Sequence, residues 1–146
     1  MELQIKQTSE MTPLELVKVF QARVRVFVIE QNCLYEEVDD ADLAASHVML
    51  KDGDEIVAYS RIIEHDAYIS FGRVLVAENY RKAGYGRKIV QLTIDAIKEN
   101  YQPQTIKISG QAYLKSFYES FGFQSVSEIY LEDNIPHITL ELYANQ

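Results

Sequence analysis

The run Arg81-Lys82-Ala83-Gly84-Tyr85-Gly86 has the residue types and spacing to hold an anion. It follows an apolar run, Gly72-Arg73-Val74-Leu75-Val76, that reads as a strand. It precedes a segment in which Ile89, Leu92, Ala96 and Ile97 share one helical face. Glycines let the backbone turn tightly, so that successive N–H groups can point at one place. The N-terminus of the following helix adds its partial positive charge. Arg81, Lys82 and Arg87 supply full charges nearby. The physical product is a cradle for a diphosphate. A Gly-x-Gly before a helix is weak evidence alone, but the preceding strand, the clustered base and the amphipathic helix strengthen it. There is no Gly-Lys-Ser/Thr, nor a Gly-x-Gly-x-x-Gly with an Asp about 20 residues on, which argues against a bound nucleotide.

About thirty residues further on stands Tyr118-Glu119-Ser120-Phe121-Gly122-Phe123. Arg-Lys-Ala-Gly-Tyr-Gly resembles the Gln/Arg-x-x-Gly-x-Gly/Ala signature of the GCN5-related N-acetyltransferases, the GNAT superfamily. Tyr-x-x-x-Gly-Phe resembles that family's second motif, in the expected order and spacing. The remainder is similar to its ElaA-type branch: Arg25-Val-Phe-Val-Ile-Glu30-Gln31, His47, Tyr59-Ser60-Arg61, Gly72-Arg73-Val74, Gln111-Ala112 and Glu132-Asp133-Asn134-Ile135-Pro136-His137. The match covers about Val24 to Leu142, and Asn134 stands where Gly is expected, at a turn.

The resemblance implies an α/β (α+β) acyl-CoA N-acyltransferase fold: a mixed, mostly antiparallel sheet with helices on both faces and splayed central parallel strands. Acetyl-CoA is the implied cosubstrate, with no metal. Its pantetheine arm is expected between the strand ending at Val76 and the strand Thr105 to Ser109. Backbone groups of Leu75 and Val76 are expected to hold the arm or polarise the thioester. Amides of Lys82, Ala83, Gly84, Tyr85, Gly86 and Arg87, beside Arg81, are expected to hold the pyrophosphate. Gln111 belongs to the same cofactor-binding set. The acceptor amine then attacks the thioester directly, without an acyl-enzyme.

Direct attack needs two proton transfers. Tyr118 is the expected acid for the leaving thiolate, because a phenol near pKa 10 can share its proton with a thiol near about 8.5. The base is open between Glu132, His137 and a water relay; an imidazole has a suitable pKa of about 6.5. Arg61 and Arg73, both in expected strands, read as acceptor-orienting residues or as a network with Glu30. Their bland alternative is a structural ion pair. His47 joins the acceptor-side set, although a histidine at the start of a strand is commonly structural. A competing reading is a non-catalytic module that binds or senses acyl-CoA; the tyrosine at position 118 favours an enzyme, since binding alone needs no acid there.

These residues need elements to position them. Leu3 and Ile5 alternate as on an edge strand. Thr12-Pro13-Leu14-Glu15 reads as a capped helix start, with Leu16, Val19, Phe20, Arg23 and Phe27 at helical spacing. A loop then leads to a short helix near Ala41 to Ala45. His47 to Leu50 and Glu55 to Ile63 flank Asp52-Gly53, a hairpin signal. Tyr68 to Val76 is the next strand. A helix from Gly84 to Asn100 exits at Pro103. Thr105 to Ser109 is a strand, Gly110 turns the chain, and a helix spans Ala112 to Ser120. Phe123 to Tyr130 and Ile138 to Tyr143 close an antiparallel pair. The order describes a mixed sheet with helices on its faces.

The 146 residues fit one domain. The lone Cys33 excludes an internal disulfide and a cysteine zinc site. Neither a membrane-length apolar run nor a signal-peptide pattern is present, so the expectation is a cytoplasmic protein without a membrane partner. The charge, 14 minus 22 or −8, disfavours nucleic acid. A monomer or homodimer acting on a small-molecule or peptide amine is expected. No Lys or Arg lies between Val26 and Leu50, where Glu30, Glu36, Glu37, Asp39, Asp40 and Asp42 cluster. That segment is expected to form a negative mouth that gathers a cationic amine.

Overall fold

The signal at Thr12 starts a helix where expected. In this computed structural model, which describes residues 1–102 and 105–143, α1 spans Pro13–Arg23. Thr12 Oγ1 accepts the Glu15 N–H at 3.2 Å, and Glu15 accepts the Thr12 N–H at 2.9 Å. Two orphan donors of the helix end are thereby satisfied. The helix runs on as a π-helical stretch, Val24–Glu30. Pro103, the expected exit of the long helix, lies outside the described residues.

Four antiparallel strands form one half of the sheet: β1 (Glu2–Gln7), β2 (Ser46–Asp52), β3 (Glu55–Glu64) and β4 (Tyr68–Val76). The helix α2 (Tyr85–Asn100) then carries the chain across to β5 (Thr105–Gln111), which lies parallel to β4. After the short α3 (Lys115–Glu119) come β6 (Gln124–Ser125), β7 (Tyr130–Glu132) and β8 (Ile135–Tyr143). β8 pairs antiparallel with β5 on one side and with β6 and β7 on the other. On one face, Ile89, Val90, Ile94 and Ile97 of α2 pack with Ile62, Ile69, Phe71, Ile106 and Leu140. On the other, Val19 of α1 packs with Met49, Tyr59 and Leu75. Each such aliphatic side chain contributes about 1.5–3 kcal/mol when fully buried.

The feature that makes a site is where the sheet fails to close. β4 and β5 pair at Tyr68↔Thr105 and Ile69↔Ile106 and no further. On the other edge of β4, Tyr59 opposes Leu75 and Arg61 opposes Gly72, so Arg73 and Val74 together face Ser60. This bulge re-aims the strand. Arg73 takes φ 53, a left-handed conformation uncommon for a residue with a side chain. Its guanidinium is held by Glu37, which anchors the bulge from outside the sheet.

Several expected elements differ in detail. The helix near Ala41 is a 3-10 turn, Asp40–Leu43, capped by Asp39 and Asp42. The helix expected over Ala112 to Ser120 divides into a 3-10 turn, Ala112–Leu114, and α3. The strand expected over Phe123 to Tyr130 is interrupted because Ser127 Oγ, not a backbone carbonyl, accepts the Thr139 N–H at 2.9 Å. β8 starts three residues earlier than expected, since Asp133 and Asn134, at φ 50 and 64, reverse the chain within two residues. Asn tolerates that conformation, so the turn survives without the expected glycine. Gly110 is not a turn but a buried strand residue. A Cβ there would lie 3.0 Å from the Tyr118 ring, so glycine permits the close approach.

Candidate active site

The open seam between β4 and β5 widens into a cleft of about 490 Å³. Arg61, Arg73, Gln111, Tyr118, Glu132 and His137 all line it, although up to 76 residues separate them in sequence. The sheet alternation explains part of the gathering: along β5, Lys107, Ser109 and Gln111 line the cleft, while Ile106 is buried in the core on the α2 side; Ile108 belongs to that core and also reaches the cleft.

Tyr118 sits at the deep wall, 7% exposed, against Phe71, Phe117 and Phe123. Burial, with a smaller repulsion from Tyr113, pushes its phenol up to about 12. It therefore stays protonated across the neutral range.

Opposite stands a polar cluster built on β5, β7 and β8. His137 Nδ1 lies 2.7 Å from the Ile135 carbonyl, so that nitrogen carries a hydrogen, and Nε2 faces Glu132 Oε2 at 3.5 Å. Glu132 also accepts from Ser109 Oγ at 3.5 Å. Ser109 bonds Tyr130 at 2.5 Å, and Tyr130 bonds Thr139 at 3.0 Å. Sequence reasoning missed Ser109, Tyr130 and Thr139. The period-2 alternation that puts Ser109 beside Gln111 and Thr139 beside His137 was the available signal.

The glycine loop lies beyond the C-terminal end of β4. Gly84 is the N-cap of α2 at φ 85, and no side chain caps the helix. Arg81, Lys82, Ala83 and Gly84 are exposed, which leaves the first amides of α2 open to an anion. The charges are more committed than expected. Arg81 donates to the Val76 carbonyl at 3.0 Å and to Glu30 at 2.6 Å. Arg87 donates to Ser120 at 2.9 Å and lies over Phe121 at 4.7 Å. Leu75 is buried and Val76 half-buried at the end of β4.

Two expectations about the acceptor side need correcting. His47 does not reach the cleft. It is fully buried, between Tyr59 (2.6 Å from Nδ1) and Thr8 (2.8 Å from Nε2). Thr8 already donates to the Asp42 carbonyl at 2.5 Å, so it accepts from Nε2–H, and Nδ1 accepts from Tyr59. Burial holds this neutral imidazole down at about 4 against an ordinary 6.5. The unfolded chain binds the extra proton between those values, so His47 contributes stability above pH 6.5 that is lost as pH falls toward 4. Urea midpoints of the wild type should fall across that window, and less steeply in His47→Gln.

The acidic mouth is likewise absent as drawn. Glu37 and Asp42 are buried, and both bond Arg23, which is 0% exposed (2.7 and 2.6 Å). Arg61 pairs with Asp39 and Asp42 at 2.7 and 3.1 Å, and Arg73 with Glu37 and with Asp39 at 3.5 Å. Glu30 pairs with Arg81 rather than with Arg61 or Arg73. The carboxylates thus neutralise three arginines and pin the 37–42 segment beside the cleft; Glu36 and Asp40 remain exposed. Burial disfavours the Asp42 charge, but the Arg23 hydrogen bonds outweigh it and bring the carboxyl down to about 2. Arg23, on the otherwise apolar face of α1, was the sequence signal for this network. Arg23→Ala should cost about 3–5 kcal/mol by stranding two buried carboxylates, read as a lower urea midpoint at constant m. A loss under about 1 kcal/mol would show that Arg61 and Arg73 take over the pairing.

Among the described residues no cluster of three or more His, Cys, Asp and Glu could hold a metal, and no helix is long and apolar enough to cross a membrane.

This architecture has known counterparts. Residues 8–144 match the family described as acetyltransferase (GNAT) domain, and the chain belongs to that family. Within it, the chain is of the ElaA type. It is 38% identical to protein ElaA of Escherichia coli over 135 residues, covering 89% of this chain and 88% of that protein. The crystal structure of Escherichia coli ElaA superposes with a TM-score of 0.92 at 36% identity, covering 97% of this chain and 99% of that one. The crystal structure of an acyl-CoA N-acyltransferase from Pseudomonas aeruginosa gives a TM-score of 0.92 at 33% identity, covering 96% and 97%.

Proposed function

We propose that this chain transfers the acetyl group of acetyl-CoA directly to an amine, in a ternary complex and without an acyl-enzyme. One observation carries the reading: β4 parts from β5 beyond Ile69, the gap is walled by a buried tyrosine, and an uncapped helix N-terminus follows the end of β4. A narrow slot beside open amides suits a pantetheine arm joined to a pyrophosphate. Acetyl-CoA supplies the activated acyl group when bound. The open edge of β4 at Leu75 and Val76 offers backbone groups to the arm, and Gln111 stands on the facing strand. The amides from Lys82 to Arg87 hold the pyrophosphate.

The acceptor nitrogen bonds to the acyl carbon as the C–S bond breaks. An ammonium must first lose one proton, and the new amide nitrogen loses another as it forms. The Glu132–His137 pair takes the first at Nε2, where the carboxylate 3.5 Å away stabilises the imidazolium. Tyr118 gives its phenolic proton to the departing sulfur and recovers one from the amide nitrogen. Its raised pKa keeps the phenol protonated until the thiolate forms.

Calorimetry with acetyl-CoA, CoA release in the presence of an amine library, and mass spectrometry of the products test the reading. Micromolar binding with amine-dependent CoA release is expected. Binding without release for any amine would instead make the chain an acyl-CoA-binding module.

A further inference from the structure

The acceptor half of the cleft carries a charge asymmetry that the acetyl donor does not use. The chain has 22 acidic residues against 14 Lys and Arg, yet Arg61, Arg73 and Lys107 line this cleft against Glu132 and Asp133. Arg61 and Arg73 are balanced by the carboxylates that pin the 37–42 segment. Lys107 is not so balanced. Among the described residues its ammonium reaches only Glu141, at 3.9 Å, and its side chain is 41% exposed. The ammonium rests 5.1 Å from the centre of the Tyr68 ring, which holds it at the floor of the cleft.

The register adds further polar groups at the same place. One step beyond the last β4–β5 pair, Ile69↔Ile106, the cleft-facing residues are Ser70 and Lys107. Ser70 Oγ bonds His65 Nε2 at 2.9 Å, and His65 stacks on Tyr68 at 4.4 Å. Arg61, 5% exposed, lines the same cleft two positions further along, opposite Gly72, and leaves its buried Nε without an acceptor among the described residues. Ser70 and His65 share one hydrogen between them, so Lys107 supplies the full positive charge at its end of the cleft.

We infer that the end at Lys107 receives an anionic group of the acceptor, so that the acceptor is a zwitterion whose amine and anion lie well apart. The inference rests on the acetyltransferase reading and names its substrate class. The amine belongs at Glu132 and His137, which adjoin Ser109 and Gln111 further along β5. Lys107 is two to four residues from these positions, roughly 7–13 Å at about 3.3 Å per residue. An α-amino acid carries both charges on one carbon and cannot bridge that span. An ω-amino carboxylate, a short peptide or an aminoalkyl phosphate can.

The test uses matched acceptors: ε-aminocaproate, its carboxamide and an aminoalkyl phosphonate of equal length, with CoA release measured under saturating acetyl-CoA. The anionic acceptors should exceed the amide by about tenfold in kcat/KM, through KM. Carboxylate against phosphonate identifies which anion is preferred. Lys107→Gln should bring the ratio to within about threefold of parity, and Lys107→Arg should preserve it. In parallel, each acceptor is titrated calorimetrically into the protein–CoA complex, which needs no turnover. Binding that requires the anion and is lost in Lys107→Gln supports the subsite even if no amine is acetylated, an outcome that would fail the acetyltransferase reading alone. Equal handling of amide and anion by the wild type, equal losses for both in Lys107→Gln, or no binding of any of the three overturns the inference.

Discussion

Gly84→Glu should lower acetyl-CoA affinity by at least about 100-fold, about 2.7 kcal/mol, while the fold survives. Gly84 caps α2 at φ 85, and a Cβ there meets nothing within 4 Å, so the substitution has room. The left-handed backbone costs roughly 1–2 kcal/mol for a residue with a side chain. An acidic group at a helix N-terminus returns part of that through the macrodipole. The same carboxylate occupies the position proposed for the pyrophosphate and would repel it. Gly84→Ala carries the backbone strain without the charge, and should lose far less affinity. Calorimetry on both variants, with circular dichroism to verify folding, separates the terms. Equal affinity in a folded Gly84→Glu protein would remove the loop from the cofactor site.

Tyr118→Phe should lower kcat by about 100-fold, with acetyl-CoA affinity little changed. The ring stays against Phe71, Phe117 and Phe123, so packing is retained. Only the phenolic proton is lost, and burial keeps that proton on oxygen up to about pH 12. The departing sulfur then leaves as an unprotonated thiolate in a poorly solvated site. Single-turnover measurement isolates the chemical step from product release. Wild-type rates in that measurement would return Tyr118 to a packing role.

Much of the fold was legible because its signals are local. The capping box at Thr12, the Asp52-Gly53 hairpin and the apolar stripe of α2 depend on residues a few positions apart. The glycine loop was legible for the same reason: strand, glycines and helix are contiguous. The broken strand at Ser127 was not, because a side chain from one strand intercepts the backbone of another. His47 was placed on the acceptor side, yet its environment is set by Thr8, 39 residues earlier, and by Tyr59 on the neighbouring strand.

The sequence by itself determined the family, most of the order of elements and the position of the glycine loop ahead of α2. Each follows from propensity, periodicity or a motif within a short window. Only the tertiary structure decided which charges are free. Six carboxylates without an intervening base looked like an open mouth, but Arg23, Arg61 and Arg73 reach the segment from α1, β3 and β4 and neutralise Glu37, Asp39 and Asp42, while Glu30 pairs with Arg81. Lys107, inconspicuous in sequence, lines the cleft and among the described residues has only Glu141, at 3.9 Å, as an ionic partner. Whether a charge is available to a ligand depends on partners brought within a few ångströms by strand register and by one bulge in β4. Those contacts are non-local, and charge spacing along the chain carries no record of them.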